Sequence, residues 1–226
     1  MSSQPHTSVG AWPAGARAAG TIVALGYLLG LVRGPVMAVV GGLALVTLAR
    51  CLAAPVPDDA ALAAALAVLA GAVGVGALRW GVVDLGDLRG IQGVLGPTLL
   101  VGPAGAAAAC WVATVGAVAA LAAWLATARA ADGDPARPVV AVWAVEALAG
   151  SLLVVSVFWG PSIPRGSLGG DALVAALRWL GLTVVVAAAA AGGALVLARH
   201  AAWRWAALGA GAVCAAAGAA LVARVL

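Results

Sequence analysis

The chain has no lysine and no asparagine, and only one phenylalanine, one tyrosine and three isoleucines in 226 residues. All five residue types use AT-rich codons. Alanine, glycine, valine and arginine abound in their place, which is the signature of a GC-rich genome. Two familiar inferences lose force as a result. Arginine in place of lysine is no sign of phosphate recognition, and small-xxx-small spacings, which let membrane helices approach closely, recur too widely to single out a helix.

Charge is also scarce, at 9% of residues against about a quarter in a soluble domain. The net charge of +4 comes from scattered arginines. No four basic residues cluster, so neither a nucleic-acid footprint nor a polybasic lipid patch is supported. The histidines are two, His6 and His200, and the cysteines three, Cys51, Cys110 and Cys214, with no CxxC pair. That excludes a bis-histidine haem and a histidine-based metal site within the membrane, and no cofactor is expected. The cysteines read as small buried hydrophobes. Nucleophile-elbow, zincin, P-loop and dinucleotide-binding motifs are all missing, so no enzyme class is indicated.

What is present is apolar surface. Hydrophobic residues make up 65% of the chain and the mean hydropathy is +1.12, far outside the soluble range. The length fits roughly five to seven spans of about 20 residues each. The fold class expected is all-α, a polytopic transmembrane helical bundle of about six spans in the plasma (inner) membrane of a bacterium. Residues 1–17 are polar and read as a disordered tail; residues 18–226 read as one integral membrane domain. Residues 48–51 are "LARC", where Arg50 spoils a lipoprotein cleavage box. No small-x-small cleavage site follows the first apolar stretch, so that stretch is taken as an uncleaved span.

Five spans are expected over residues 60–78, 105–127, 139–158, 179–198 and 205–223. Tryptophans stand at six of their ends (Trp80, Trp124, Trp143, Trp159, Trp179 and Trp205), as in the aromatic belts of a bilayer. Residues 18–49 hold two short apolar runs around Arg33-Gly34-Pro35. One continuous helix there would be about 48 Å long, too long for a core of about 30 Å. Proline opens a helix well, so a single span broken at this point is favoured, with two separate spans as the alternative. Arginines divide almost evenly between the two sides, and the positive-inside rule gives no firm orientation.

Residues 79–92 read "RWGVVDLGDLRGIQ", and they gather Arg79, Asp84, Asp87 and Arg89 in eleven positions. The segment fits neither a helical nor a strand period. Glycines interrupt it, and Gly-Pro pairs follow at 96–97 and 102–103. Irregular backbone at membrane depth is tolerated where it is buried in protein or lines a watery cavity, and broken apolar segments point to transporter sites. Residues 84–104 therefore have two readings. One is a re-entrant, cavity-lining segment; the other is a headgroup loop with solvated charges.

Glu146 is the chain's only glutamate, and an ionisable group inside a span faces the bundle interior with a partner by default. Arg33 is the first candidate partner and Arg178 the second. The pair would be either a proton- or cation-coupled site or a structural ion pair. Residues 132–137, "DGDPAR", resemble the first half of the DGxxAR…GxxxDxxxD pattern of CDP-alcohol phosphatidyltransferases. That resemblance implies a divalent metal held by aspartates on a pyrophosphate. The second half is missing, and Glu146 stands where its glycine would be, so the segment is read as an Asp/Gly/Pro turn. "ALRW" occurs at 77–80 and at 176–179, a hint of an inverted repeat. Asp171 is placed as a helix N-cap.

The function expected from these residues is transport, either as a carrier or as a membrane subunit of a transport system. Glu146, Arg33, Asp84, Asp87 and Arg89 form the candidate polar transport site. The alternative is a non-catalytic structural or assembly subunit. The partners implied are the lipid bilayer, other membrane-protein subunits and a small solute or ion whose identity the residues do not give.

Overall fold

A computed structural model of the chain describes residues 59–81, 87–88, 91–92, 98, 103–131, 137–160 and 170–224. Among the described residues there are five long helices and no strand: α1 (Asp59–Leu78), α2 (Ala104–Ala131), α3 (Arg137–Phe158), α4 (Gly170–Leu197) and α5 (Ala201–Ala223). Each coincides with one expected span, with shifted ends. The largest shift is in α4, which begins nine residues before residue 179 because Leu173, Val174 and Leu177 continue its apolar run; Asp171 thus lies inside its first turn and is not its cap. Residues 18–49, including Arg33, and residues 132–136 of the expected Asp/Gly/Pro turn lie outside the described residues.

Three segments, Ala104–Arg129, Leu173–Leu197 and Ala201–Ala223, are long and apolar enough to cross a bilayer; the apolar stretches Ala64–Leu78 and Glu146–Phe158 of α1 and α3 are shorter. These features mark a membrane protein.

Small residues set the packing. Along α5 the buried positions are Arg204, Leu208, Gly211, Ala215, Gly218 and Val222, a seam at alternating spacings of four and three. Its deepest contact is with α2. A methyl group on Gly116 would lie 2.8 Å from the main-chain oxygen of Gly211, and one on Gly211 would lie 3.1 Å from that of Gly116. Backbones approach that closely only where both residues lack a Cβ.

The same close approaches fix helix direction. Gly211 faces Gly116 and Gly218 faces Ala109, so α5 and α2 are antiparallel. Gly211 meets Val68 while Gly218 meets Val75, so α5 and α1 run the same way. The five helices alternate in direction. One end of the bundle, called the proximal end below, gathers the C-termini of α1, α3 and α5 with the N-termini of α2 and α4. The distal end holds the opposite termini.

Helix α2 is the hub and touches all four other helices. Its residues 121–128 are buried on every side. By contrast α4 and α5 leave Leu173, Val174, Leu177, Leu180, Val184, Val185 and Val213 more than half exposed. Such a surface in water would be far larger than a soluble monomer carries, whereas acyl chains solvate it.

The tryptophans report the depth axis. Trp80, Trp111, Trp159 and Trp179 lie towards the proximal end, where Trp111 and Trp159 meet edge to face at 5.7 Å. Trp124, Trp143, Trp203 and Trp205 lie towards the distal end. Thirteen residues of α2 separate Trp111 from Trp124, about 20 Å at helical rise, and sixteen of α3 separate Trp143 from Trp159, about 24 Å. That is comparable with a hydrocarbon core of about 30 Å. Among the described residues only Glu146 carries a formal charge between these two tiers.

The belt reading needs one correction. Trp124 is buried to 3% exposure, and its ring fills the α2 core and does not face headgroups. Trp143 turns inward to donate from Nε1 to the carbonyl of Leu125 at 3.1 Å. Among the described residues, Trp111, Trp203 and Trp205 are the exposed rings.

Candidate functional site

Buried polar side chains collect at the proximal end, where α1 ends. Arg79 is one residue past Leu78, and its guanidinium Nη1 donates to the main-chain oxygen of Thr98 and to Cys110 Sγ at 3.5 Å. The cation also lies over the Trp80 ring, 5.1 Å from its centroid, a favourable electrostatic contact with the ring face. A cation at this place suits the carbonyl-rich C-terminus of α1.

Thr98 joins the cluster twice. Its hydroxyl oxygen accepts from Trp80 Nε1 at 3.2 Å and from Gln92 Nε2 at 2.6 Å. The second Nε2 proton of Gln92 goes to the carbonyl of Val157 at 2.7 Å. The sequence explains that last bond. Inside a helix the Val157 carbonyl would accept from the N–H of residue 161, but residue 161 is proline and has no N–H. Gln92 supplies the donor that Pro161 lacks, and so ties the broken segment to the end of α3. Gly160, with φ of +95°, turns the chain beside this amide in a conformation that glycine adopts freely.

Burial of these groups is nearly complete: Thr98 0%, Gln92 2%, Arg79 9%, with Leu88 at 0% on the same broken segment. Gln92 Oε1 is the exception to the pairing; it is buried and has no hydrogen-bond partner among the described residues.

Of the five expected site residues, Asp87 and Glu146 are described, and they lie at different levels of the bundle. Asp87 is exposed on a short helical turn next to buried Leu88. Arg33, Asp84 and Arg89 lie outside the described residues. Glu146 is 1% exposed and takes part in a polar interaction, but it belongs to the distal half. The contact of Gly150 with Leu121 sets it at about the level of Leu125. Arg178, its second candidate partner, is exposed on the proximal part of α4. The approach of Gly193 to Ala122 sets the register of α4 on α2. At helical rise Arg178 is then on the order of 25 Å from Glu146 along the bundle axis, which rules out a direct pair.

The two "ALRW" copies also part company. Both lie at the proximal end, but Arg79 is buried and bonded while Arg178 is exposed.

Between the tiers the described polar side chains other than Glu146 are hydroxyls. Thr114 donates to the Cys110 carbonyl at 2.8 Å and Thr183 to that of Trp179 at 3.0 Å, each satisfied within its own helix one turn back. Ser151 is fully buried and its hydroxyl has no partner among the described residues. At the distal end Arg129 lies over the Trp143 ring at 5.8 Å. Arg204 is 8% exposed at the head of the α5 seam. The described residues include no group of three or more metal-ligating side chains.

Sequence reasoning passed over Gln92, Thr98 and the role of Arg79. One signal was available. In a chain without asparagine, Gln92 is the only side-chain amide beyond the N-terminal Gln4, and it sits within a glycine-broken segment. No family model, curated protein or solved structure matches the chain.

Proposed function

We propose that the chain is a multi-pass protein of a bacterial plasma membrane, with about six spans, that serves as a transporter or as the membrane subunit of a transport system. Residues 18–49 supply the remaining span, broken at Arg33-Gly34-Pro35. The reading is carried by one observation: Leu88, Gln92 and Thr98, from a stretch whose sequence glycine and proline interrupt, are buried, and Gln92 bonds both Thr98 and the end of α3. Polar irregular backbone enclosed by helices is what membrane carriers use to meet solutes. The neighbouring Asp84, Asp87 and Arg89 supply charge at the entrance, and Glu146 with Arg33 would provide a coupling pair deeper in the bundle.

A second reading has its own support. The α2–α5 contact is sealed backbone to backbone at Gly116 and Gly211, and apart from Glu146 no described charge lies between the tryptophan tiers. A structural or assembly subunit has those properties as well.

Purification from native membranes in mild detergent, with subunit stoichiometry, separates the two when combined with solute flux in proteoliposomes. Flux that disappears when Asp84, Asp87, Arg89, Arg33 or Glu146 is neutralised in a folded protein supports transport. A protein without flux that co-purifies with a larger complex and tolerates all five substitutions is an assembly subunit, and the transport reading fails.

A further inference from the structure

We propose that the proximal cluster is a hydration site in which Gln92 Oε1 holds one water molecule in the space beside Gly160. Gln92 is 98% buried, both of its Nε2 protons are used, and its oxygen has no donor among the described residues. The amide cannot be turned over to improve matters, because the Val157 carbonyl accepts and never donates, so nitrogen must face it. None of the described residues supplies that donor.

Two features define its size and kind. A methyl group on Gly160 would stand 3.6 Å from Gln92 Oε1 and 3.4 Å from Gln92 Cβ, so the missing Cβ leaves an open flank beside the oxygen. Thr98 Oγ1 accepts from Trp80 and from Gln92, which leaves its own proton to donate. A molecule seated there gives a proton to Gln92 and takes one from Thr98. Water does both, and buried waters make about three such bonds to otherwise unsatisfied groups. A metal cation or an ammonium ion accepts nothing from Thr98, and the Arg79 guanidinium bonded to the same threonine repels it. The water hydrates Gln92 whether or not the protein moves a solute.

The composition makes the test direct. The chain has two glutamines, Gln4 and Gln92, and one phenylalanine, Phe158, which is fully buried. Protein carrying Gln4→Ala and labelled with ¹³C in glutamine and phenylalanine is placed in liposomes, and polarisation transfer from water is read by solid-state NMR. The expected result is transfer to the Gln92 carboxamide carbon and none to the Phe158 ring. In Gly160→Asn, whose side chain tolerates positive φ and brings its own N–H donor, the transfer to Gln92 is lost. Should that variant not fold, Thr98→Val removes the hydroxyl and is expected to lose the same signal. The proposal is overturned if Gln92 is as dry as Phe158 in the unmodified protein, or if transfer persists in both folded variants. Neither result depends on flux.

Discussion

The side-chain amide of Gln92 donates to the main-chain carbonyl of Val157 at 2.7 Å, across 65 residues of sequence. The bond fills a vacancy written into the chain, because Pro161 cannot offer the N–H that would close the last turn of α3. Gln92→Leu leaves that carbonyl buried without a donor, and the expected loss of stability is about 1–3 kcal/mol. Pro161→Ala restores an N–H four residues on. In the double variant the loss should therefore shrink, giving a coupling energy beyond the roughly 0.5 kcal/mol scatter of independent sites. Thermal unfolding of the four proteins in detergent measures it, and additive effects would show that Gln92 does not substitute for the missing donor.

Gly211 and Gly209 lie on the same helix and should answer differently to the same change. A Cβ on Gly211 would come within 3.1 Å of the Gly116 main-chain oxygen and 3.0 Å of Val68, whereas one on Gly209 meets nothing within 4 Å. Gly211→Ala must push α2 and α5 apart, at an expected cost of about 1–3 kcal/mol. Gly209→Ala should be neutral or slightly stabilising, since alanine is the better helix former by about 1 kcal/mol. Equal effects at the two positions would contradict the assigned α2–α5 contact.

Arg79 shields Cys110. Its guanidinium bridges the Thr98 carbonyl and the cysteine sulfur, and Cys110 itself is fully buried. In a background with Cys51 and Cys214 replaced by serine, Cys110 should resist a water-soluble maleimide. Arg79→Ala removes the shield and should raise the labelling rate by an order of magnitude or more, as a local opening free energy falls by about 1.4 kcal/mol per tenfold. Arg178→Ala, at the other "ALRW", should leave the rate unchanged because that side chain is exposed. Rapid labelling before any change at Arg79 would show that the cluster does not seal the proximal end.

How much of this was legible beforehand differs between fold and site. The five described helices could be read because charge and proline interrupt an otherwise apolar chain: Arg79 after α1, Pro103 before α2, Arg137-Pro138 at the start of α3, Pro161 after it, and Arg199-His200 between α4 and α5. Which faces pack together could not be read. These helices are apolar all round, so the period that marks a buried stripe in a soluble helix carries no information. The choice is made by where a Cβ is absent, as at Gly116 and Gly211, and glycine is too common here to flag those two.

The site was harder still. Charge drew attention to Asp84, Asp87, Arg89 and Glu146, because ionised groups are costly in lipid. Among the described residues, the proximal cluster is built from one cation and neutral donors and acceptors. Arg79 bonds the main-chain oxygen of Thr98, and Gln92 bonds the Thr98 hydroxyl and the main-chain oxygen of Val157. Backbone partners leave no mark in composition. Only the pairing of a lone amide with a proline-ended helix foreshadowed the bond, and the two are some seventy positions apart in the chain.

The membrane itself can be tested on α5. Ala210 is exposed near the middle of this helix, and Ala202 is exposed one residue before Trp203, at the distal tryptophan tier. If lipid surrounds α5, an arginine at position 210 faces hydrocarbon, where insertion scales put its cost at about 2.5–3.5 kcal/mol. At position 202 the same side chain reaches headgroups, beside Arg199 and His200 that already stand exposed there, and the cost should be close to nothing. Ala210→Arg is thus expected to lower the membrane-inserted fraction of the protein sharply, measured by glycosylation or alkaline extraction, while Ala202→Arg is extracted no more easily than the parent chain. In water both positions would accept arginine equally, because both are exposed helix surface. Equal insertion of the two variants would therefore remove hydrocarbon from the outer face of α5, and with it the reason for reading the exposed valines and leucines of α4 as lipid contacts.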